Sequence, residues 1–370
     1  MKILYVSTIS NTINAFMIPH IEMLLDQGHE VHIACNINRE ISPILLNRGC
    51  KVYNIKFQRS PFKKQNIVAY KKLKQLIIEG EYDVVHTHTP VASVCTRLAC
   101  KKVDNVKVIY TAHGFHFYKG ASFKDWLVYY PVERYLARYT DILITINKED
   151  YERANKSFKA GRIEYIPGVG IDTKKFNEVV VDRTKKRSEI GVPDDAFLIL
   201  SVGELGERKN HEAIIRAIAM LNDAKIYYII CGQGPLEKHL RDLSKELGIE
   251  HQTRLLGVRK DIAEMCKASD LFAFPSKREG LGIAALEAMA SGLPIITSNI
   301  QGIVDYSVNG KTGYSYSPKN INGFANGIKE LKSNKVLRDK MGLYNEDTVE
   351  RFSIEKSKSK LQNIYQLVSK

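Results

Sequence analysis

Short apolar runs alternate with stretches in which apolar residues recur every three or four positions, and the alternation continues along most of the chain. Runs of this length read as buried strands, and the stretches between them have helical period. In the first half the pattern predicts strands over Ile3–Ser7, Val31–Cys35, Val52–Ile55, Val84–Thr87, Val106–Tyr110 and Ile142–Ile146. Helical patterns cover Phe16–Asp26, Asn66–Ile78, Val91–Cys100 and Trp126–Ala137. A second series predicts strands over Phe197–Val202, Ile226–Ile230, Arg254–Leu256, Leu271–Phe274 and Pro294–Thr297, with helices over His211–Leu221, Leu236–Leu247 and Gly282–Ala290. Strand and helix in alternation predict parallel sheets covered by helices. The span Thr173–Val192 is polar and charged, and reads as a linker with a short leading helix. The fold expected is therefore α/β, with two doubly wound, Rossmann-like domains facing across a cleft: residues 1–172 and 173–352. The tail, 353–370, carries Leu361, Ile364, Tyr365 and Val368 at the spacing of an amphipathic helix.

In open α/β sheets, ligands sit outside the carboxyl ends of the strands. The polar and glycine-containing segments of this chain fall there. The most telling is Arg278-Glu279-Gly280-Leu281-Gly282-Ile283-Ala284-Ala285-Leu286-Glu287, between the run Leu271–Phe274 and a helix. Glu279 lies in the strand-to-helix loop and Glu287 lies inside the helix. Gly280 and Gly282 allow close approach of a ligand to the backbone. The helix start offers free N–H groups to an anion. A molecule with hydroxyls at both ends and a diphosphate between them matches that layout. Two solvated carboxylates on a surface helix are the plain alternative, although Glu287 is flanked by Ala284, Ala285, Leu286, Ala288 and Met289, poor company for a solvent-facing charge.

Ser276–Pro294 resembles the E-x7-E element of retaining glycosyltransferases of family 4, which have the GT-B fold. Ser201-Val202-Gly203-Glu204-Leu205 with Arg208-Lys209-Asn210 resembles that family's phosphate-binding loop. Cys231–Leu236 resembles its next strand and turn, and Leu256–Ile262 its nucleobase loop. Thr111-Ala112-His113-Gly114 and Ile166–Asp172 match in the first half, and Thr111–Gly120 with Trp126–Tyr139 resembles transferases of capsule and exopolysaccharide assembly. The resemblance implies a role for each matching residue. Glu287 accepts from the ribose hydroxyls and Glu279 from the transferred sugar. Arg208 and Lys209, with the amides at Gly280, Leu281 and Gly282, neutralise the departing diphosphate. Backbone groups near Val258 and Arg259 read the base, and His113 meets the donor sugar near the reacting centre. It also implies that the last helix crosses back to the first domain.

One departure from the family pattern stands out. Many relatives carry Gly-Arg-Leu where this chain has Gly203-Glu204-Leu205, so the usual phosphate arginine is replaced by a carboxylate. Glu204 is left between orienting Lys209 or Arg208 and touching the acceptor. The first strand leads into Ser7–Asn14 without the family's glycine-rich loop, which puts Asn14, Pro19 and His20 forward as further contacts. His116 and Phe117 are candidates for the acceptor side. His86 and His88 end a strand and are left open between structural and functional roles.

Charge adds a second theme. The formal net charge is +14, and nine Lys or Arg residues lie between Arg48 and Lys74 without one Asp or Glu. A solvated basic face, nucleic acid, an anionic membrane surface and a negatively charged substrate are the possible explanations. No helix-turn-helix, zinc or RNP pattern accompanies the charge, which argues against nucleic acid. The membrane surface fits the family resemblance, with Phe57 and Phe62 placed to dip among headgroups. The six cysteines lack metal-ligand spacing, no Asp-x-Asp occurs, and no apolar run is long enough to span a bilayer. The N-terminus lacks a signal-peptide layout. A cytoplasmic enzyme at the inner face of the plasma membrane is expected, using no metal and no cofactor besides its donor. The expected reaction moves an N-acetylhexosamine or hexose from a UDP-sugar to a polyprenyl-diphosphate saccharide, with retention. A nucleotide-sugar 2-epimerase of the same fold and a non-catalytic nucleotide-sugar-binding protein are the alternatives.

Overall fold

The computed structural model describes residues 1–369. The chain forms two compact units: residues 1–170 with the C-terminal helix Ile354–Val368, and residues 171–353.

The first unit is built on β1 (Lys2–Ile9), β2 (Glu30–Asn36), β3 (Val52–Asn54), β4 (Val84–His88), β5 (Lys107–Ala112), β6 (Ile142–Thr145) and β7 (Arg162–Tyr165), in the order β3-β2-β1-β4-β5-β6-β7. Every pair is parallel. β1 shows why such strands read as unbroken apolar runs: Ile3, Leu4, Tyr5 and Val6 are all fully buried, because helices cover both faces. Ile3 and Tyr5 join one core with Ile21, Leu24, Leu361, Ile364 and Tyr365, while Leu4 and Val6 join another with Leu73, Ile77, Ala92 and Val85. The C-terminal helix is thus part of the first unit's core.

The second unit contains β8 (Phe197–Val202), β9 (Ile226–Cys231), β10 (Thr253–Gly257), β11 (Leu271–Phe274), β12 (Ile295–Ser298) and β13 (Gly313–Tyr316), all parallel, in the order β10-β9-β8-β11-β12-β13. Both sheets reverse their strand order once, between β1 and β4 in the first and between β8 and β11 in the second. At such a point the two following loops diverge and leave a crevice.

Several expectations need correction. The span 173–192 is no linker: its helices Thr173–Asn177 and Arg183–Glu189 belong to the second unit. Arg187 is fully buried, donating to the carbonyls of Asp194, Ala196 and Ala268 and pairing with Asp270 at 2.7 Å. A buried guanidinium with all three of its nitrogens engaged holds that helix to the body of the unit. The Ser7–Asn14 segment is not a loop either, since helix Ser10–Phe16 starts as soon as β1 ends. Ser10 Oγ donates to the Arg39 carbonyl at 2.6 Å, and Asn14 binds the Glu40 carbonyl and the Ser42 amide. Asn14 therefore secures a neighbouring loop. Phe57 is only 1% exposed and packs in the core, so it cannot enter a membrane, whereas Phe62 is 81% exposed. All six cysteines are buried free thiols. No helix among the described residues is long and apolar enough to cross a membrane.

Candidate active site

The loops after β8 and β11 emerge side by side at the second unit's reversal point, and their side chains meet. Arg208 Nη1 and Lys209 Nζ both donate to Glu279 Oε1, each at 2.7 Å. Backbone contacts fix this meeting: the Lys277 amide donates to the Arg208 carbonyl at 2.8 Å, and Asn210 Nδ2 donates to the carbonyls of Pro275 and Pro318, each at 3.0 Å. Asn210 itself sits at φ 58°, a left-handed conformation that asparagine tolerates, and so turns the chain into helix His211–Leu221.

Lys209 lies across Gly203, where an added Cβ would come within 2.9 Å of Lys209 Cε. Its ammonium also stands 4.4 Å from the Phe274 ring centre. Burial pulls the Lys209 pKa below the ordinary lysine value, opposed by the Glu279 charge. Arg208 is the exposed partner, with 44% of its side chain accessible against 11% for Lys209 and 8% for Glu279. Two cations sharing one carboxylate leave a net positive site at the mouth of the loop. Glu204 is exposed and hydrogen-bonded to neither cation among the described residues, although its charge acts on Lys209 alongside that of Glu279.

Gly282 caps the next helix, Ile283–Ala290, at φ 93°. A side chain there would be strained and would lie 2.5 Å from the Phe274 ring and 3.0 Å from Tyr306 Oη. Glu287, within that helix, is half-buried, and its carboxylate has no hydrogen-bond partner among the described residues. Burial pushes its pKa up to about 7, with Lys175 pulling the other way. Such a carboxylate is placed to accept hydroxyl donors from a ligand. Val258 is 69% exposed, while the Arg259 side chain is committed to Asp261 and Glu189 and leaves only backbone at this turn for a base.

Groups that the sequence did not single out complete this end of the unit. Tyr306 Oη and Ser276 Oγ are buried without hydrogen-bond partners among the described residues, and burial and the Glu279 charge push the Tyr306 pKa well up. Gly302, in the turn after β12, packs so tightly on Gly280 that a Cβ would lie 1.9 Å from the Gly280 oxygen. The signal available was positional only: Gln301-Gly302 follows the next strand end, as Glu279 follows β11.

In the first unit the reversal point carries aromatic rings. His113, after β5, places Nε2 3.1 Å from His88 Nδ1, with the rings stacked at 5.4 Å. His88 lies 4.2 Å from His86, whose Nδ1 and Nε2 contact Tyr365 Oη and Thr111 Oγ1, each at 2.8 Å. His20 is buried and contacts Ser357 Oγ at 3.1 Å. Burial lowers the pKa values of His20 and His113 to about 4, and those of His86 and His88 well below the ordinary value. All four rings are therefore neutral near pH 7. His86 and His88 are structural in the sense that they lock the column; His113, half-buried, is its exposed end. Phe117 is fully buried against Phe115, Trp126 and Tyr130, so it shapes no acceptor surface, whereas His116 is half-buried and stacks on Tyr129 at 4.3 Å.

Comparison with known proteins places this geometry. Residues 182–348 match the family described as glycosyl transferases group 1, and residues 2–147 match the glycosyl transferase 4-like family. The chain is 35% identical over 370 residues to the "Putative glycosyltransferase EpsD" of Bacillus subtilis, covering 98% of this chain and 96% of that one. It is 28% identical over 359 residues to the UDP-Gal:alpha-D-GlcNAc-diphosphoundecaprenol alpha-1,3-galactosyltransferase of Escherichia coli, covering 93% and 90%. Among solved structures, Anabaena Alr3699/HepE in complex with UDP and glucose superposes with a TM-score of 0.81 at 19% identity, covering 99% of each chain. WaaG, a glycosyltransferase involved in lipopolysaccharide biosynthesis, superposes with a TM-score of 0.78 at 17% identity, covering 98% and 99%. These likenesses establish the GT-B fold.

Proposed function

The chain belongs to the group 1 glycosyl transferases, with a family 4-like first half, and from that premise we propose that it moves a hexose or N-acetylhexosamine from a UDP-sugar to a lipid-linked saccharide, with retention and without a metal. The observation that carries this reading is the convergence of Arg208 and Lys209 on Glu279 at the second unit's reversal point. When the nucleotide departs, negative charge grows on its diphosphate. Cations already in place stabilise that charge without reorganisation. Diphosphate oxygens replace Glu279 as partners of Arg208 and Lys209, with the amides of Gly280, Leu281 and Gly282 alongside. Glu279, once freed, accepts from hydroxyls of the transferred sugar. Glu287 accepts from the ribose, and the backbone at Val258 and Arg259 meets the base. His113 contributes a neutral imidazole to the sugar.

UDP is favoured by the donor named for the Escherichia coli relative and by the ligands of the Anabaena structure. The diphosphoundecaprenol acceptor of that relative supports a lipid-linked acceptor, and a place in exopolysaccharide or capsule assembly rests on the resemblance of Thr111–Gly120 and Trp126–Tyr139. The basic stretch between Arg48 and Lys74, with the exposed Phe62, supports association with an anionic membrane surface at the site of such acceptors.

The direct test is transfer from a panel of UDP- and GDP-sugars onto polyprenyl-diphosphate saccharides, with the anomeric configuration of the product read by NMR. Turnover with a UDP-sugar and an unchanged configuration are expected. Folded protein that turns over no pair contradicts the proposal, and conversion of the donor in the absence of acceptor places the chain with the epimerases.

A further inference from the structure

The first unit contains a cavity of about 440 Å³ at the carboxyl ends of β1 and β4. That size lies within the ~300–1,000 Å³ usual for small-molecule sites. Its walls come from the end of β1, the 59–66 segment and the helices Pro90–Cys100 and Phe123–Leu136. A saccharide site at such a place needs unspent polar groups. Here four polar side chains of the wall, Thr8, Thr89, Asn66 and Glu133, are already committed to hydrogen bonds or an ion pair. Thr8 Oγ1 and Thr89 Oγ1 are 2.7 Å apart. Asn66 accepts from the Gln58 amide and donates to the Ser60 carbonyl. Glu133 is paired with the fully buried Arg97 at 2.9 Å and accepts from Tyr110 Oη at 3.4 Å. The rest of the wall is mainly apolar, with Ile9, Phe62, Val91, Val94, Val128 and Val132, and its other polar side chains are Thr12, His116 and Tyr129 beside Arg59.

The mouth has the opposite character. Arg59 lines it, is exposed and carries no ion pair among the described residues, and Lys63 and Lys64 follow, also exposed. The sequence has no Asp or Glu from residue 41 to residue 78. An apolar interior with an uncompensated cationic rim complements a molecule with a hydrocarbon chain joined to a compact anionic group. We propose that this cavity is an isoprenoid-diphosphate site: the chain's first isoprene units lie between the Pro90–Cys100 and Phe123–Leu136 helices, and Arg59 meets the diphosphate. The proposal rests on the reading of the acceptor as lipid-linked and names the part of this chain that holds the lipid. Burial of apolar surface supplies the affinity, and the rim sets the depth at which the chain stops.

The test is calorimetric titration of the full chain with geranylgeranyl diphosphate, inorganic diphosphate and oleoyl lysophosphatidic acid, using native protein and the Val94→Gln, Val132→Gln and Arg59→Gln variants. Val132 is 42% exposed, so its replacement spares the fold even where that of Val94 does not. Each variant is checked by its melting temperature and by UDP binding, both expected unchanged. Geranylgeranyl diphosphate should bind at least tenfold more tightly than either other ligand. Val94→Gln and Val132→Gln should each weaken it tenfold or more, and Arg59→Gln should weaken it several-fold. Equal binding of inorganic diphosphate, tighter binding of the straight-chain lipid, or indifference to both valine changes overturns the proposal. Failure of sugar transfer to every lipid-linked saccharide, with geranylgeranyl diphosphate still bound in this pattern, removes the acceptor reading and leaves the cavity assignment supported.

Discussion

Between β8 and β11 the loops gather two cations and a carboxylate onto one oxygen atom; between β1 and β4, in a sheet of equivalent order, the same point gathers stacked rings and apolar walls. The backbone topology supplies a crevice in both units. The side chains then set different electrostatics. In the second unit Lys209 stays close to a charged partner, and the site remains cationic. In the first unit burial holds four imidazoles neutral, and positive charge is left to the cavity's rim at Arg59. A donor diphosphate suits the first kind of place and an acceptor that brings its own lipid suits the second. The contrast shows that strand order locates a ligand site without choosing the ligand.

The contrast breaks most sharply at Glu279. Glu279→Gln keeps the shape of the loop but removes the charged acceptor of both cations. Transfer should fall about 10- to 10²-fold, since a hydrogen bond to a charged group in a desolvated site contributes ~1.5–3 kcal/mol. Steady-state rates with saturating donor measure it, and a loss under threefold would make the cluster structural.

Glu287→Gln tests the same unit through stability. The folded-state pKa of Glu287 is raised to about 7 from an ordinary value near 4.5. Between those values the folded chain holds the proton more tightly than the unfolded chain, so this group's contribution to stability is lost as pH rises through about 7. The variant should melt higher than native protein at pH 8, by about 1–3 kcal/mol in stability, and equally at pH 4. It should also bind UDP-sugar more weakly. Gain of stability with loss of binding marks a functional carboxylate; a variant destabilised at pH 8 argues for a structural one.

In the first unit, His86→Phe strands Tyr365 Oη and Thr111 Oγ1, at a cost of about 1–3 kcal/mol. Because Tyr365 belongs to the C-terminal helix, hydrogen exchange should rise in residues 354–368 first, and uniform exchange across the unit would contradict this. The remaining effect is a slope with pH. His20, His86, His88 and His113 have folded-state values far below the ~6.5 of an unfolded histidine. Below pH ~6.5 the unfolded chain takes up these protons first, so stability falls as pH drops, by up to ~1.4 kcal/mol per pH unit for each histidine. Denaturant melts between pH 7 and 5 measure the slope, and His88→Asn should flatten it.

Much of this was legible in the sequence, for identifiable reasons. Central strands such as Leu271–Phe274 are buried on both faces and announce themselves as apolar runs. The edge strands β7 and β13 did not, because Arg162-Ile163-Glu164-Tyr165 and Gly313-Tyr314-Ser315-Tyr316 are short and half polar. Helix Ser10–Phe16 was hidden by Ser10, Asn11 and Thr12, poor helix formers, of which Ser10 and Asn11 are held by contacts to residues 38 and 39. The position of Arg208, Lys209 and Glu279 at strand ends was visible, but their common oxygen was not. Residues seventy apart meet only because β8 and β11 are neighbours. Tyr306 and Ser276 gave no local signal at all, since their distinction is burial without a hydrogen-bond partner among the described residues. Phe57 and Phe62 look alike in sequence, and only the fold separates a core residue from a rim residue.

The account turns on diphosphate recognition by the paired cations, and titration of UDP into native protein, Arg208→Met and Lys209→Met tests it directly. Each variant should bind UDP at least tenfold more weakly while keeping its affinity for uridine, which lacks the diphosphate. Unchanged UDP affinity in both, with the fold intact, would show that the anion is held elsewhere.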